Sequence, residues 1–376
     1  MPSKSHPDSI AFHFSVLTDP RMDRTKEHSL HDILVIALCA MLCGAEGFVD
    51  FEQFGKCRLT WFSTILELPN GIPSHDTFRR VFAMLHPKQF ADCFRTWTES
   101  LRQTVDREIV AIDGKTLRRS HQRSKGLGPI HMVSAWAREN GLVLGQIKVD
   151  EKSNEITAIP ELIAALNLAG CIVTIDAMGC QTKIAEQIAA AKAEYVFGLK
   201  GNQGTIHGEV KTFMEDAEAN AFKGIIADIF ETTERGHGRK ETRRYSITEE
   251  VEWLTGVSQW KNLRSVAMVE SIREIAGVVT TERRFFLCSI AANARELARA
   301  VRGHWSIENT LHWCLDVTFN EDQCRARTGC AAENLALLRH MAMNILKGDT
   351  NNKRSIKGRK KDAGWNNSYL IQLLRF

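Results

Sequence analysis

Two aspartates in this chain stand where acid chemistry is possible. Asp113 follows Val110-Ala-Ile112 and precedes Gly114-Lys115; Asp176 follows Ile172-Val-Thr-Ile175 and precedes Ala177-Met-Gly179. Each reads as the last residue of a short buried strand, and ligands of open α/β sheets collect beyond the carboxyl ends of their strands. If the two strands are neighbours, their carboxylates meet at one rim. Two uncompensated carboxylates repel, so a divalent cation is the natural counter-charge. Hard oxygen donors favour Mg2+ or Mn2+ over softer metals. Taken singly, each Asp is more simply a turn residue after a strand.

A third acid completes such a site, and the segment Arg302-Gly-His-Trp-Ser-Ile-Glu308-Asn-Thr-Leu-His-Trp313 supplies the best candidate. On a helix, His304, Glu308 and His312 fall at i, i+4 and i+8, on one face. That spacing also suits a His-ligated zinc, ranked lower because the H-E-x-x-H pattern is absent. The plain alternative is an amphipathic helix that buries Trp305 and Trp313 in the core.

Several elements must position these side chains. Residues 1–25 are polar and read as a loose arm. From 26 to 105 the pattern is helical, with Ile33, Leu34, Ala37, Leu38, Met41 and Leu42 forming one stripe and Ser74 capping a later helix. Arg79 and Arg80 on that helix fit a DNA-reading role less well than ordinary bundle packing. At residue 106 the texture changes. Short apolar strands end at Asp113, Ala137, Val149, Asp176 and Leu199, and helices over 155–168 and 182–193 separate the later ones. The order β, β, β, α, β, α, β predicts a mixed α/β sheet with helical cover. Residues 204–290 read as an inserted, mostly β subregion. Helical patterning resumes at Asn293 and continues to residue 348, and 349–376 reads as a basic tail.

Composition narrows the function classes. The chain has 376 residues, 44% hydrophobic and 25% charged, which excludes global disorder. Its 49 Lys and Arg against 45 Asp and Glu give a net charge of +4, permitting a polyanionic partner without demanding one. None of the 10 cysteines forms a C-x-x-C pair, so a reduced protein is expected. No signal peptide is evident, and the longest apolar run, 33–47, is too short for a membrane span. A cytoplasmic location follows as the expectation, nucleoid-associated where the polyanionic partner is DNA. The basic residues cluster locally: Lys115, Arg118, Arg119, Arg123 and Lys125 after the first Asp; Arg235, His237, Arg239, Lys240 and Arg243 in a candidate hairpin; and Lys353 to Lys361 in the tail. Such patches suit salt-sensitive contacts to DNA phosphates, and solvated faces equally for the tail.

Longer motifs then carry a resemblance. Ala111-Ile-Asp-Gly-Lys-Thr-Leu-Arg118, Asp150-Glu-Lys-Ser-Asn-Glu-Ile-Thr-Ala-Ile-Pro-Glu161, Asp176-Ala-Met-Gly-Cys-Gln181, Lys200-Gly-Asn-Gln203, His237-Gly-Arg239, the 304–313 segment, Leu315-Asp-Val317 and Asn320-Glu-Asp322 occur in order, with Gly44-Ala-Glu-Gly47 and Gly71-Ile-Pro-Ser-His-Asp-Thr77 before them. Over residues 25–347 the chain resembles insertion-sequence transposases of the DDE superfamily, in the H-repeat-associated subgroup. The resemblance implies an RNase H-like catalytic domain with Asp113, Asp176 and Glu308 as catalytic and metal-binding acids. It implies two Mg2+ or Mn2+ ions, double-stranded DNA (the terminal inverted repeats of its own element and a target) as partner, and a homodimer on DNA. Val301, His304, Glu308 and Leu315 stand where related transposases carry Tyr, Arg, Glu and Lys. The missing charge is expected from His304, Lys115 or Arg118. A relative that binds DNA without catalysis, a metal-dependent nuclease and a zinc hydrolase remain as alternatives.

Overall fold

In the computed structural model, residues 10–121, 128–149, 154–236 and 238–374 are described. His237, Arg123 and Lys125, expected at the DNA, and residues 150–153 lie outside the described residues. The chain begins with helices α1 (Ile10–Phe14), α2 (Leu30–Leu42), α3 (Phe48–Cys57), α4 (Leu59–Phe62), α5 (His75–Met84) and α6 (Pro87–Leu101). Ser29 and Ser74 cap α2 and α5, their hydroxyls accepting from the Asp32 and Thr77 amides. Pro87 opens α6, where its missing N–H costs nothing. Phe51, Phe62, Phe78, Phe82, Phe90, Phe94 and Trp97 fill the interior. The described part of the expected loose arm is not loose. Leu17 is buried, and the Phe14 ring meets Phe90 edge-on at 5.6 Å, because α1 covers an apolar stripe that α6 would otherwise expose.

The sheet starts with β1 (Ile109–Leu117), β2 (Ile130–Ala137) and β3 (Leu142–Lys148), an antiparallel meander. Helix α7 (Glu155–Ala165) leads to β4 (Ile172–Ile175), parallel to β1, and α8 (Thr182–Ala190) to β5 (Glu194–Leu199), parallel to β4. After α9 (Gly204–Ala219) come β6 (Ala227–Gly236), β7 (Arg239–Thr248), β8 (Ser265–Ile275) and β9 (Val278–Cys288). The stretch read as an insertion does not fold apart. β9 pairs with β5, so one nine-stranded sheet runs β3-β2-β1-β4-β5-β9-β8-β7-β6. β1 also runs four residues past Asp113, because β2 keeps pairing with it to Leu117 after β4 has ended at Ile175. A loop beginning at Lys115 is thereby displaced to the end of the strand.

Helix α10 (Ala294–Ser306) crosses the sheet and passes into a π-helical turn (Ile307–His312), then α11 (Trp313–Val317). Helix α12 (Ala331–Gly348) is followed by α13 (Ile356–Trp365) and α14 (Asn367–Leu373). The basic tail is therefore folded. Lys360 is buried and donates to the Thr318 carbonyl, with its ammonium 4.0 Å from the Phe319 ring centroid. The helical block has no core of its own: Phe82 and Trp97 share one cluster with Ala111, Trp136, Ile307, Leu338 and Leu370. Among the described residues no helix is long and apolar enough to cross a membrane.

Candidate active site

The parallel pairing of β1 and β4 sets Ile112 against Ile175, so the next residues, Asp113 and Asp176, stand side by side. Asp176 partly fills the turn role: its Oδ1 accepts from the Met178 and Gly179 amides at 3.0 and 3.4 Å, capping a short 3-10 turn. Its other oxygen makes no hydrogen bond among the described residues. Glu308 joins them from the π-helical turn. It lines a cavity of about 420 Å³ together with Asp176, His304, Lys200, Arg284 and Trp305. Helix α10 approaches closely because residue 303 is glycine. A Cβ there would lie 2.7 Å from Ile109 Cγ2. The Trp136 indole N–H, donating to the Ser306 hydroxyl at 3.1 Å, holds the helix where the π turn begins.

Burial, with like charge added to it, raises the pKa of Asp113 and of Glu308. Burial pushes the Asp113 carboxyl from 3.8 to about 7, with Asp176, Glu308 and Glu155 adding to the rise and the Gly114 amide opposing it. Glu308 is raised as well, by desolvation and then by Asp176, against Arg284 and Lys200. Among the described residues, no three His, Cys, Asp or Glu side chains are gathered closely enough to hold an ion as they stand.

The π turn separates residues that an ideal helix would align. His304 turns into the sheet, its Nδ1 3.1 Å from the Thr174 hydroxyl, and burial lowers its pKa. A neutral ring held this way does not replace a cationic Arg. His312 instead lies behind Asp113, Nδ1 to Oδ2 3.6 Å, and burial and Lys115 bring its pKa down to about 4. The two histidines thus serve different strands and form no shared zinc set. Trp305 and Trp313 are exposed rather than core residues.

The predicted basic contacts divide. The Lys115 side chain is only 11% exposed, with Nζ 2.5 Å from Asp316 and 2.8 Å from buried Glu321. Its charge is already compensated, so it does not present a cation to a ligand. Arg118 is 77% exposed and touches Asp322 at 3.2 Å. Arg119 lies just beyond the end of β1, and its carbonyl accepts from Arg327. Arg239 and Arg243 flank buried Glu241 at 3.5 and 2.6 Å, while Lys240 and Arg235, paired across the hairpin, sit on the other face of the sheet. Sequence reasoning misses Lys200 and Arg284, the cations beside Glu308. Arg284 packs over the Trp305 ring at 4.7 Å from its centroid and pairs with Glu282 at 2.8 Å. Lys200 follows a strand end, as Asp176 does, and that position is a usable signal. Arg284 offers none, because only the β5–β9 pairing brings it here.

Known proteins resemble this chain over most of its length. A family model described as a transposase DDE domain matches residues 104–345, and one described as DDE_Tnp_1-associated matches residues 11–98. The chain is 40% identical over 367 residues to a protein named "H repeat-associated putative transposase YhhI" from Escherichia coli, covering 96% of each. It is 40% identical over 370 residues to "Putative transposase YncI", also from Escherichia coli, covering 97% of this chain and 94% of that one. A solved piggyBac transposase synaptic complex with hairpin DNA overlaps it at a TM-score of 0.46 and 9% identity, over 100% of this chain and 79% of that one, too loosely to bear on the fold. With the domain match spanning well over half its length, this chain belongs to the transposase DDE domain family.

Proposed function

We propose that the protein is a DNA transposase whose acidic triad is Asp113, Asp176 and Glu308, set in an RNase H-like arrangement of β1 to β5 with α10 laid across them. The observation that carries this reading is the β1–β4 register, which sets two carboxylates side by side, with the third acid in the Asp176 cavity. The donor set fits a hard divalent cation. It is all carboxylate, and burial together with Asp176, Glu308 and Glu155 lifts the Asp113 pKa to about 7, a cost that a bound cation would relieve. Asp113, Asp176 and Glu308 are the residues that would hold Mg2+ or Mn2+. Two such ions, when bound, would neutralise the scissile phosphate and make the attacking oxygen more acidic.

The chain's own residues do the rest. The Met178 and Gly179 amides hold one Asp176 oxygen and leave the other for the site. Lys200 and Arg284 face the charge that builds on the phosphate, in the place of the Arg and Lys that related transposases carry. Neutral His304 steadies the helix against β4, and His312 backs Asp113. Water attacks at the element end and frees a 3′-OH. That hydroxyl then attacks target DNA, so no covalent protein intermediate forms. Exposed Arg118, Arg235 and Lys240, with half-buried Arg119, suit the duplex backbone. Pairing of two ends by two copies of the chain follows from the same reading.

The test is purified protein incubated with the DNA that flanks its coding sequence, in Mg2+ or EDTA. Nicks at fixed end positions and joined products are expected in Mg2+ alone. Asp176→Ala and Glu308→Ala should each abolish cleavage and leave DNA binding largely intact. Retained Mg2+-dependent cleavage in either variant removes that residue from the triad. Binding without cleavage in Mg2+ or Mn2+ overturns the enzymatic reading.

A further inference from the structure

A second cavity, also about 420 Å³, opens between the helical block and the segment after α11. Arg79 of α5 forms one wall, Arg325 and Arg327 the other, and Glu46 and Asn320 join the two through a 2.7 Å hydrogen bond. Three guanidinium groups thus face one carboxylate that is already bonded. Arg325 is exposed and makes no hydrogen bond or ion pair among the described residues. Arg327 is exposed and commits only Nε, to the Arg119 carbonyl at 3.0 Å. Arg79 is half exposed and pairs with Asp76, equally exposed, at 3.0 Å, a surface pairing that a stronger anion readily displaces.

The place of this cleft matters as much as its charge. The Arg327–Arg119 bond ties it to the end of β1, the strand that carries Asp113. Four strand residues carry the chain from Asp113 to Leu117, about 13 Å at ~3.3 Å each, and the turn at Arg118 and Arg119 takes it further, to at most about 20 Å. Along a duplex rising ~3.4 Å per step, that distance corresponds to about 4–6 base pairs. Arg118, at the same end of β1, pairs with Asp322, three residues before Arg325.

We propose that the Arg79–Arg325–Arg327 cleft grips the phosphodiester backbone of the DNA being cut, about 4–6 base pairs from the scissile bond, and thereby gives the helical block a part in holding the element end. This inference rests on the DNA reading of the preceding subsection. The fork of a guanidinium matches two phosphate oxygens at once, which explains Arg rather than Lys at all three positions.

Binding of the full-length protein to a duplex of its flanking DNA, measured in EDTA across a salt series, tests the cleft without any need for cleavage. Removing one cation from a phosphate lowers the slope of log K against log salt by ~0.9, so Arg325→Ala with Arg327→Ala should lower it by about 2. Arg325→Lys with Arg327→Lys should keep most of the slope. Uncharged methylphosphonates about 4–6 base pairs from the cleaved bond should weaken the parent and affect the double Ala variant, which keeps only Arg79 in the cleft, much less. Both arginines are exposed, so folding should be unchanged by circular dichroism. DNA binding with an unchanged slope in the double Ala variant overturns the cleft and leaves the transposase reading standing. No DNA binding by the parent overturns both. A lowered slope in the double Ala variant, with a parent that binds but never cleaves, supports the cleft while the catalytic reading falls.

Discussion

Replacing Asp113 by Asn should stabilise the protein, and only at neutral and alkaline pH. The Asp113 side chain is 18% exposed, and its carboxyl is lifted from 3.8 to about 7, first by burial and then by neighbouring acids. The unfolded chain therefore ionises first. Between pH 3.8 and about 7 the native state keeps a proton that the unfolded state has released. Stability falls as pH rises through that window and is lowest above it. At ~1.4 kcal/mol per pH unit, the whole effect is about 4 kcal/mol. Asp113→Asn keeps the shape and removes the charge, so it should exceed the parent by about 2–4 kcal/mol at pH 8 and match it near pH 4. At roughly 2–4 °C per kcal/mol for a larger domain, the Tm difference at pH 8 is about 5–15 °C. Thermal and urea unfolding in EDTA at the two pH values measure this. Mg2+ should then stabilise the parent, by ~2.7 kcal/mol at a hundredfold excess over Kd, and the Asn variant far less. Equal stability of Asp and Asn forms at pH 8 in EDTA would refute the burial of an uncompensated carboxylate on which the metal reading rests.

Three further outcomes are expected. Lys115→Met removes the cation shared by half-buried Asp316 and buried Glu321, which keeps only Arg339 at 3.6 Å, and urea unfolding should show a drop of about 3 kcal/mol. Gly303→Ala places a methyl 2.7 Å from Ile109 Cγ2; a destabilisation of ~1–3 kcal/mol is expected, with cleavage falling more than DNA binding as α10 retreats from the sheet. Arg284→Ala removes a cation beside Glu308 and should lower the cleavage rate by roughly a hundredfold with little change in DNA affinity; an unchanged rate would remove Arg284 from the site.

Much of the framework is legible in the sequence because it is local. Strand runs of β-branched residues, the amphipathic stripe of α10 and the Ser29, Ser74 and Asn293 caps depend on neighbours within a few positions. Asp113 and Asp176 stand out as acids directly after apolar runs, and the strand order then sets them together. The π turn is not legible. The 304–312 segment has ordinary helical spacing, and nothing short-range marks the extra residue per turn that sends His304 to β4 and His312 to Asp113. Lys115 reads as a DNA-binding cation because its acidic partners lie 201 and 206 residues away.

By itself, then, the sequence determined most of the helices and strands, their succession along the chain and the residues able to act as acids, since these follow from periodicity, capping and side-chain chemistry. Tertiary structure alone decided which charges meet. The β5–β9 pairing turns a presumed insertion into an extension of the sheet and delivers Arg284 to Glu308. The shared core joins the helical block to α12–α14 and so opens the arginine-lined cleft beside β1. Both depend on residues far apart in the chain, where closing the loop and burying apolar surface, rather than local preference, select the partner.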